Sequence, residues 1–177
     1  MTVATGSILT TSVAMVIYPR MAQEYGRSHD ARATMKLARR PRLFLILAGI
    51  PVVVLGWILL APITEWLLPN YLRGVPAAQW SLLTVYALGF TAGFPIFNVT
   101  RQQVLYAVAI LLGIAVFAAA VPLMRGLQED PLLGYAQAML LGTFVFVVAG
   151  NALSLVAVRR TGIRSPGKIL PAKDEEP

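Results

Sequence analysis

Five runs of apolar residues, broken by little more than an occasional Ser, Thr, Gly or Pro, alternate along the 177-residue chain with polar connections. A helix needs about 20 such residues to cross roughly 30 Å of hydrocarbon. The runs fall at about 2–18, 43–68, 80–98, 103–122 and 134–158. The pattern predicts an all-α fold, a polytopic transmembrane helix bundle of five spans. The first run is short, since about 17 residues at 1.5 Å each reach only about 25 Å. It is also rich in hydroxyls (Thr2, Thr5, Ser7, Thr10, Thr11, Ser12), as expected of a helix packed among others.

Proline and glycine punctuate the longer runs. Pro51 removes a backbone donor from the second span, and with Gly49 and Gly56 close by it is expected to kink or loosen the helix. Gly89, Gly93 and Pro95 repeat the device near the end of the third. Small residues in the fourth span (Ala107, Ala109, Gly113, Ala115, Ala118 to Ala120) and early in the fifth (Gly134, Ala136, Ala138, Gly142) predict close helix packing.

Composition agrees: 57% of residues are hydrophobic and only 13% charged, with a mean hydropathy of +0.69. Soluble domains carry about a quarter charged residues. Charge then orients the bundle. Thirteen of the fifteen Lys and Arg fall on one side of the threaded chain: Arg20, Arg27, Arg32, Lys36, Arg39, Arg40 and Arg42, then Arg101, then Arg159, Arg160, Arg164, Lys168 and Lys173. Only Arg73 and Arg125 lie opposite. Lys and Arg beside spanning helices are retained in the cytoplasm, so the N-terminus is expected outside, the C-terminus inside, and the protein in the cytoplasmic membrane. Met1 to Ile17 carries no charge and is followed by Arg20, which is not the pattern of a cleaved signal. The +7 balance flanks apolar runs and lacks interleaved stacking aromatics, so nucleic acid is not an expected partner.

The basic segment 19–42 reads as an interfacial linker. Ser28 is placed to cap a short helix from about His29 to Arg40, with Ala31, Met35 and Ala38 on the bilayer and Arg32, Lys36, Arg39 and Arg40 meeting anionic headgroups. The segment 165–177 has no apolar periodicity and is expected to be a disordered cytoplasmic tail.

Catalytic chemistry is hard to assemble from these residues. There is no cysteine, one histidine, no glycine-rich phosphate loop and no paired intramembrane carboxylates; no metal or cofactor is expected, and an enzyme is the least favoured class. Polar groups at membrane depth are the remaining candidates, because they face partners or water-filled cavities. Asn98 and Arg101, three apart at the end of the third span, share a face if the helix extends that far. Asn151 lies deeper in the fifth. Each also has a packing or interfacial explanation: Arg101 reaching to the headgroups, the asparagines bonding to helices. Glu65, beside Trp66, Asn70 and Tyr71, reads as an interfacial residue.

The order of segments adds a resemblance. A Ser/Thr-rich helix ending in Val16-Ile17-Tyr18-Pro19-Arg20-Met21-Ala22, a basic linker, and Leu47-Ala48-Gly49-Ile50-Pro51 in a long span resemble the second half of the multidrug/oligosaccharidyl-lipid/polysaccharide exporter superfamily. Ile63 through Tyr71 resembles the outer end of that family's ninth helix, with Pro69 where glycine is usual; Asn98-Val99-Thr100-Arg101 resembles the inner turn after its tenth. Leu133-Gly134-Tyr135-Ala136-Gln137-Ala138 resembles the start of its last helix. The polysaccharide-export branch is the most similar, with drug/cation antiporters as relatives.

The resemblance implies that the spans are helices eight to twelve of a twelve-helix carrier, with a missing N-terminal half as a partner. It implies a flippase moving an isoprenoid-pyrophosphate-linked saccharide across the membrane by alternating access. In that role Arg101, then Arg20, are candidate pyrophosphate ligands, and Asn98 and Asn151 candidate hydrogen-bonding residues. The alternative from another class is a small membrane scaffold or assembly subunit, in contact with membrane lipids and without transport activity of its own.

Overall fold

The computed structural model describes residues 2–164 and, within them, leaves the side chains of 2–11, 13, 14 and 162–164 aside. The expected tail 165–177 and most of the hydroxyls of the first run therefore lie outside what is described. Among the described residues the chain is all helical, with no strand. The helices are α1 (Thr2–Ser28), α2 (Ala31–Leu67), α3 (Val75–Leu88), α4 (Ile96–Val99), α5 (Gln103–Leu127) and α6 (Pro131–Arg164), with 3₁₀ turns at Pro69–Gly74 and Gly89–Thr91. Among the described residues, four stretches are long and apolar enough to span a bilayer: Ala31–Leu67, Pro69–Val99, Gln103–Leu127 and Pro131–Thr161. The protein is membrane-embedded.

The basic segment departs most from expectation. It does not form a separate short helix between two spans but the tip of a helical hairpin. α1 continues through Pro19 to Ser28, and α2 begins at Ala31 and runs 37 residues without interruption through Pro41, Pro51 and Pro62. At 1.5 Å per residue it measures about 55 Å, well beyond the hydrocarbon thickness. Arg, Lys, Ala, Met and Leu all favour helix by intrinsic propensity.

Only His29 and Asp30 separate the two helices. His29 adopts φ 51°, the left-handed conformation that ends helices, and its amide donates to the Tyr25 carbonyl at 2.9 Å. The N-cap is Asp30, not Ser28: the Asp30 carboxylate accepts from the Arg32 amide at 2.7 Å. The Ser28 hydroxyl instead donates to the Glu24 carbonyl within its own helix.

Ala31 and Ala38, placed on the bilayer by sequence, are each 2% exposed and belong to the main core. They pack with Ile17 and Met21 of α1, with Phe94, Ile96 and Phe97, and with Ala157 and Val158 near the end of α6. Alanine on one face lets helix backbones approach, while the arginines and Lys36 project from the others. The apolar half of α2 differs. None of its most apolar eighteen residues is buried. Gly49 and Gly56 serve packing here: a Cβ on them would lie 2.8 Å from the Tyr86 ring and 2.9 Å from Leu82 Cδ1 on α3.

α5 and α6 form the most extensive helix pair. Of the small residues expected to pack, Ala109, Gly113 and Ala120 of α5 are buried, at spacings of four and seven, and so are Gly134, Ala136, Ala138 and Gly142 of α6. Asp130 caps α6, its carboxylate accepting from the Leu132 amide at 2.9 Å, and Pro131 takes the first helical position.

Candidate functional site

The third spanning stretch is discontinuous where Gly89, Gly93 and Pro95 predicted trouble. α3 stops at Leu88, a 3₁₀ turn covers Gly89–Thr91, and only four residues, Ile96–Val99, return to α-helix. Irregular backbone at membrane depth persists only where protein buries it or it lines a cavity. Here protein buries it: Ala92, Phe94, Ile96 and Phe97 are all buried. The Phe94 ring occupies the space a side chain would take at Gly150 of α6. It also stands edge-on to Phe97, Tyr106 and Phe146, with centroids 5.8, 6.0 and 5.4 Å away. Such geometry stabilises aromatic pairs beyond their area.

The break is followed by a second backbone departure. Arg101 has φ 55°, so the helix does not continue from Asn98 to Arg101 and the pair does not share a helical face. Both are exposed. Gln102 then anchors the start of α5: its amide nitrogen donates to the Ala157 carbonyl of α6 at 3.2 Å, while its side-chain oxygen is buried without a partner. Asn151 is half-buried and donates to the Val147 carbonyl one turn back at 2.8 Å, which ties it to its own helix.

Two cavities flank the N-terminal third of α2. The larger, of about 500 Å³, lies between α2, the broken segment at Gly93 and the last turns of α6. Arg32, Lys36, Arg39 and Arg42 line it from α2, and Arg159 from α6. The spacings 32, 36, 39 and 42 put the four on one helical face. Met35, Ala38, Leu155 and Val158 form the apolar part of the wall, and no carboxylate among the described residues contributes. The Arg42 guanidinium sits 5.9 Å from the centroid of the Phe90 ring, which holds it by a cation–π contact.

The smaller cavity, of about 380 Å³, lies on the α1 side. Ser12, Val16, Ile17 and Arg20 line it from α1, and Leu37 and Pro41 from α2. Arg20 is therefore the one sequence candidate found in either cavity wall flanking α2; Arg101, Asn98 and Asn151 line neither. The chemistry of the two walls differs. Among the described residues, one offers five cations and an apolar floor; the other a single guanidinium and a hydroxyl in apolar surroundings.

Sequence reasoning does not single out the five-cation wall, because its α2 members pass for diffuse headgroup anchors. Their spacing is visible in the sequence, but the arrival of Arg159 beside them depends on how α6 packs. Comparison of the chain with protein-family models, with curated proteins and with solved structures gives no match. Its own geometry is the guide to function.

Proposed function

We propose that this chain is the C-terminal part of a membrane flippase that moves a lipid-linked oligosaccharide or polysaccharide precursor across the cytoplasmic membrane by alternating access, with no bond made or broken. In this reading α1 is a fifth span, the N-terminus lies outside, and the basic hairpin and the end of α6 lie inside. The observation that carries the proposal is the discontinuous third stretch, packed where α1, α2 and α6 converge. Carriers build their binding sites around such broken helices, because the break lets one bundle rock against another.

Arg20 is then the pyrophosphate ligand, through charge-assisted hydrogen bonds, and the apolar wall of its cavity accepts the start of the isoprenoid chain. Arg101 and Asn98, exposed at the turn after the break, meet the headgroup as it arrives; Asn151 serves packing within α6.

A photoreactive isoprenoid-diphosphate saccharide, applied to membranes containing this chain, tests the reading. Cross-linking to α1 and the start of α2 is expected, competed by unlabelled lipid-linked saccharide. Arg20→Gln should weaken capture about tenfold or more, the scale of a lost charged hydrogen bond. Capture that unlabelled substrate does not compete would refute the proposal.

A further inference from the structure

The cavity between α2 and α6 has a composition that the flippase reading does not use. Four cations of α2 and one of α6 converge on it, no carboxylate among the described residues joins them, and the rest of the described lining is apolar. Gathering like charges is unfavourable unless an anion joins them. The position is equally specific. Arg32 to Arg42 precede the apolar run that begins at Leu43, and Arg159 follows the one that ends at Val158, so the cavity lies at the level where hydrocarbon gives way to headgroups. We infer that it is a built site for one anionic phospholipid bearing two phosphates, whose phosphates bind Arg32, Lys36, Arg39, Arg42 and Arg159 and whose glycerol and upper chains lie against Met35, Ala38, Leu155 and Val158.

Charge complementarity selects this occupant. A single phosphate monoanion leaves most of five positive charges unanswered, whereas two phosphates joined by a short linker spread along the α2 face, which rises about 15 Å from Arg32 to Arg42. The apolar half of the wall selects a lipid over a soluble polyanion, which would leave that surface wet. Basic pockets between membrane helices at this depth hold two-phosphate lipids for the same reasons. The site differs from general attraction to an anionic surface in a checkable way. Arg40 and Arg160, the immediate neighbours of Arg39 and Arg159, carry the same charge at the same depth and do not line the cavity.

The experiment is native mass spectrometry of the purified full-length chain with cardiolipin, phosphatidylglycerol or phosphatidylcholine added in detergent. One cardiolipin should bind per chain, at least about tenfold more tightly than phosphatidylglycerol, as several charged contacts require. The double variant Arg39→Gln/Arg159→Gln should lose this binding about tenfold or more, while Arg40→Gln/Arg160→Gln, with an identical change of charge, stays within about twofold. Circular dichroism confirms that both pairs remain helical. Equal losses in the two double variants, no preference over phosphatidylglycerol, or displacement of the lipid by inorganic pyrophosphate at equal concentration would each overturn the inference. None of these readouts depends on Arg20 or on saccharide transport, so the lipid site and the flippase reading fail separately.

Discussion

Gly113 and Gly142 face each other where α5 crosses α6, each occupying the notch the other leaves. A Cβ on Gly113 would stand 2.7 Å from Phe146 Cβ and 3.0 Å from the Gly142 carbonyl oxygen; one on Gly142 would stand 2.7 Å from Phe117 Cβ and 2.8 Å from the Gly113 carbonyl oxygen. Backbone on both sides leaves no flexible side chain to yield. In a bilayer, where apolar burial gives helices little drive to associate, such close approach supplies the packing energy.

Alanine at either glycine should therefore destabilise the hairpin by about 1–3 kcal/mol through overpacking. Gly126, also in α5, has open space where a Cβ would stand, with nothing within 4 Å, and Gly126→Ala should be neutral or stabilise by about 0.5–1 kcal/mol through helix propensity. Denaturation in mixed micelles, with helicity as the readout, separates the two classes. Equal effects at all three positions would mean that the crossing contributes nothing special.

Phe94 holds the broken segment to α6. Phe94→Ala removes a ring that is 8% exposed and fills the space over Gly150, and should cost about 3–5 kcal/mol. The reverse change, Gly150→Ala, drives a methyl into the same ring and should cost about 1–3 kcal/mol. Because both alter one contact, the double variant should fall short of the sum, which a double-mutant cycle measures.

At the hairpin tip, Asp30→Ala removes the cap of α2 and should cost about 0.5–2 kcal/mol. Ser28→Ala, whose hydroxyl bonds within α1, should cost less. Proteolytic cleavage at the tip, followed in detergent, is expected to accelerate more for Asp30→Ala than for Ser28→Ala. The opposite order would return the cap to Ser28.

Arg101 provides a separation of roles. Its left-handed backbone favours glycine, so Arg101→Gly should leave thermal stability unchanged or raise it by up to about 1 kcal/mol. If its guanidinium meets the arriving headgroup, the same variant captures the photoreactive lipid-linked saccharide more weakly. Unchanged capture with raised stability would assign Arg101 a conformational role alone.

The chain contains no cysteine, which makes every introduced thiol unique. Cysteines at Arg39 and Arg160 should react with an impermeant maleimide only after cells are permeabilised, and those at Asn70 and Glu129 before. Labelling of Arg39 and Arg160 from opposite sides would end the proposed topology.

The helices are legible in the sequence because long apolar runs admit few other structures, and residues such as Ala109, Gly113, Gly134 and Gly142 announce their packing by size. The break at Gly89 to Pro95 is legible for the same kind of reason: two glycines and a proline cannot sustain a helix cheaply. The tip is not. Charges at Arg32, Lys36 and Arg39 look like a loop or surface segment when hydropathy alone is followed, yet their side chains favour helix and Ala31 and Ala38 supply a narrow apolar stripe. Only the fold reveals that this stripe packs on Met21, Phe97 and Ala157 and not on lipid. The five-cation cavity is half legible, since four members share one helix face and the fifth is brought by α6.

The uninterrupted course of α2 has a mechanical consequence. Pro41, Pro51 and Pro62 each deprive a carbonyl one turn back, at Leu37, Leu47 and Ile58, of its usual donor, so three compliant joints divide a long stiff strut.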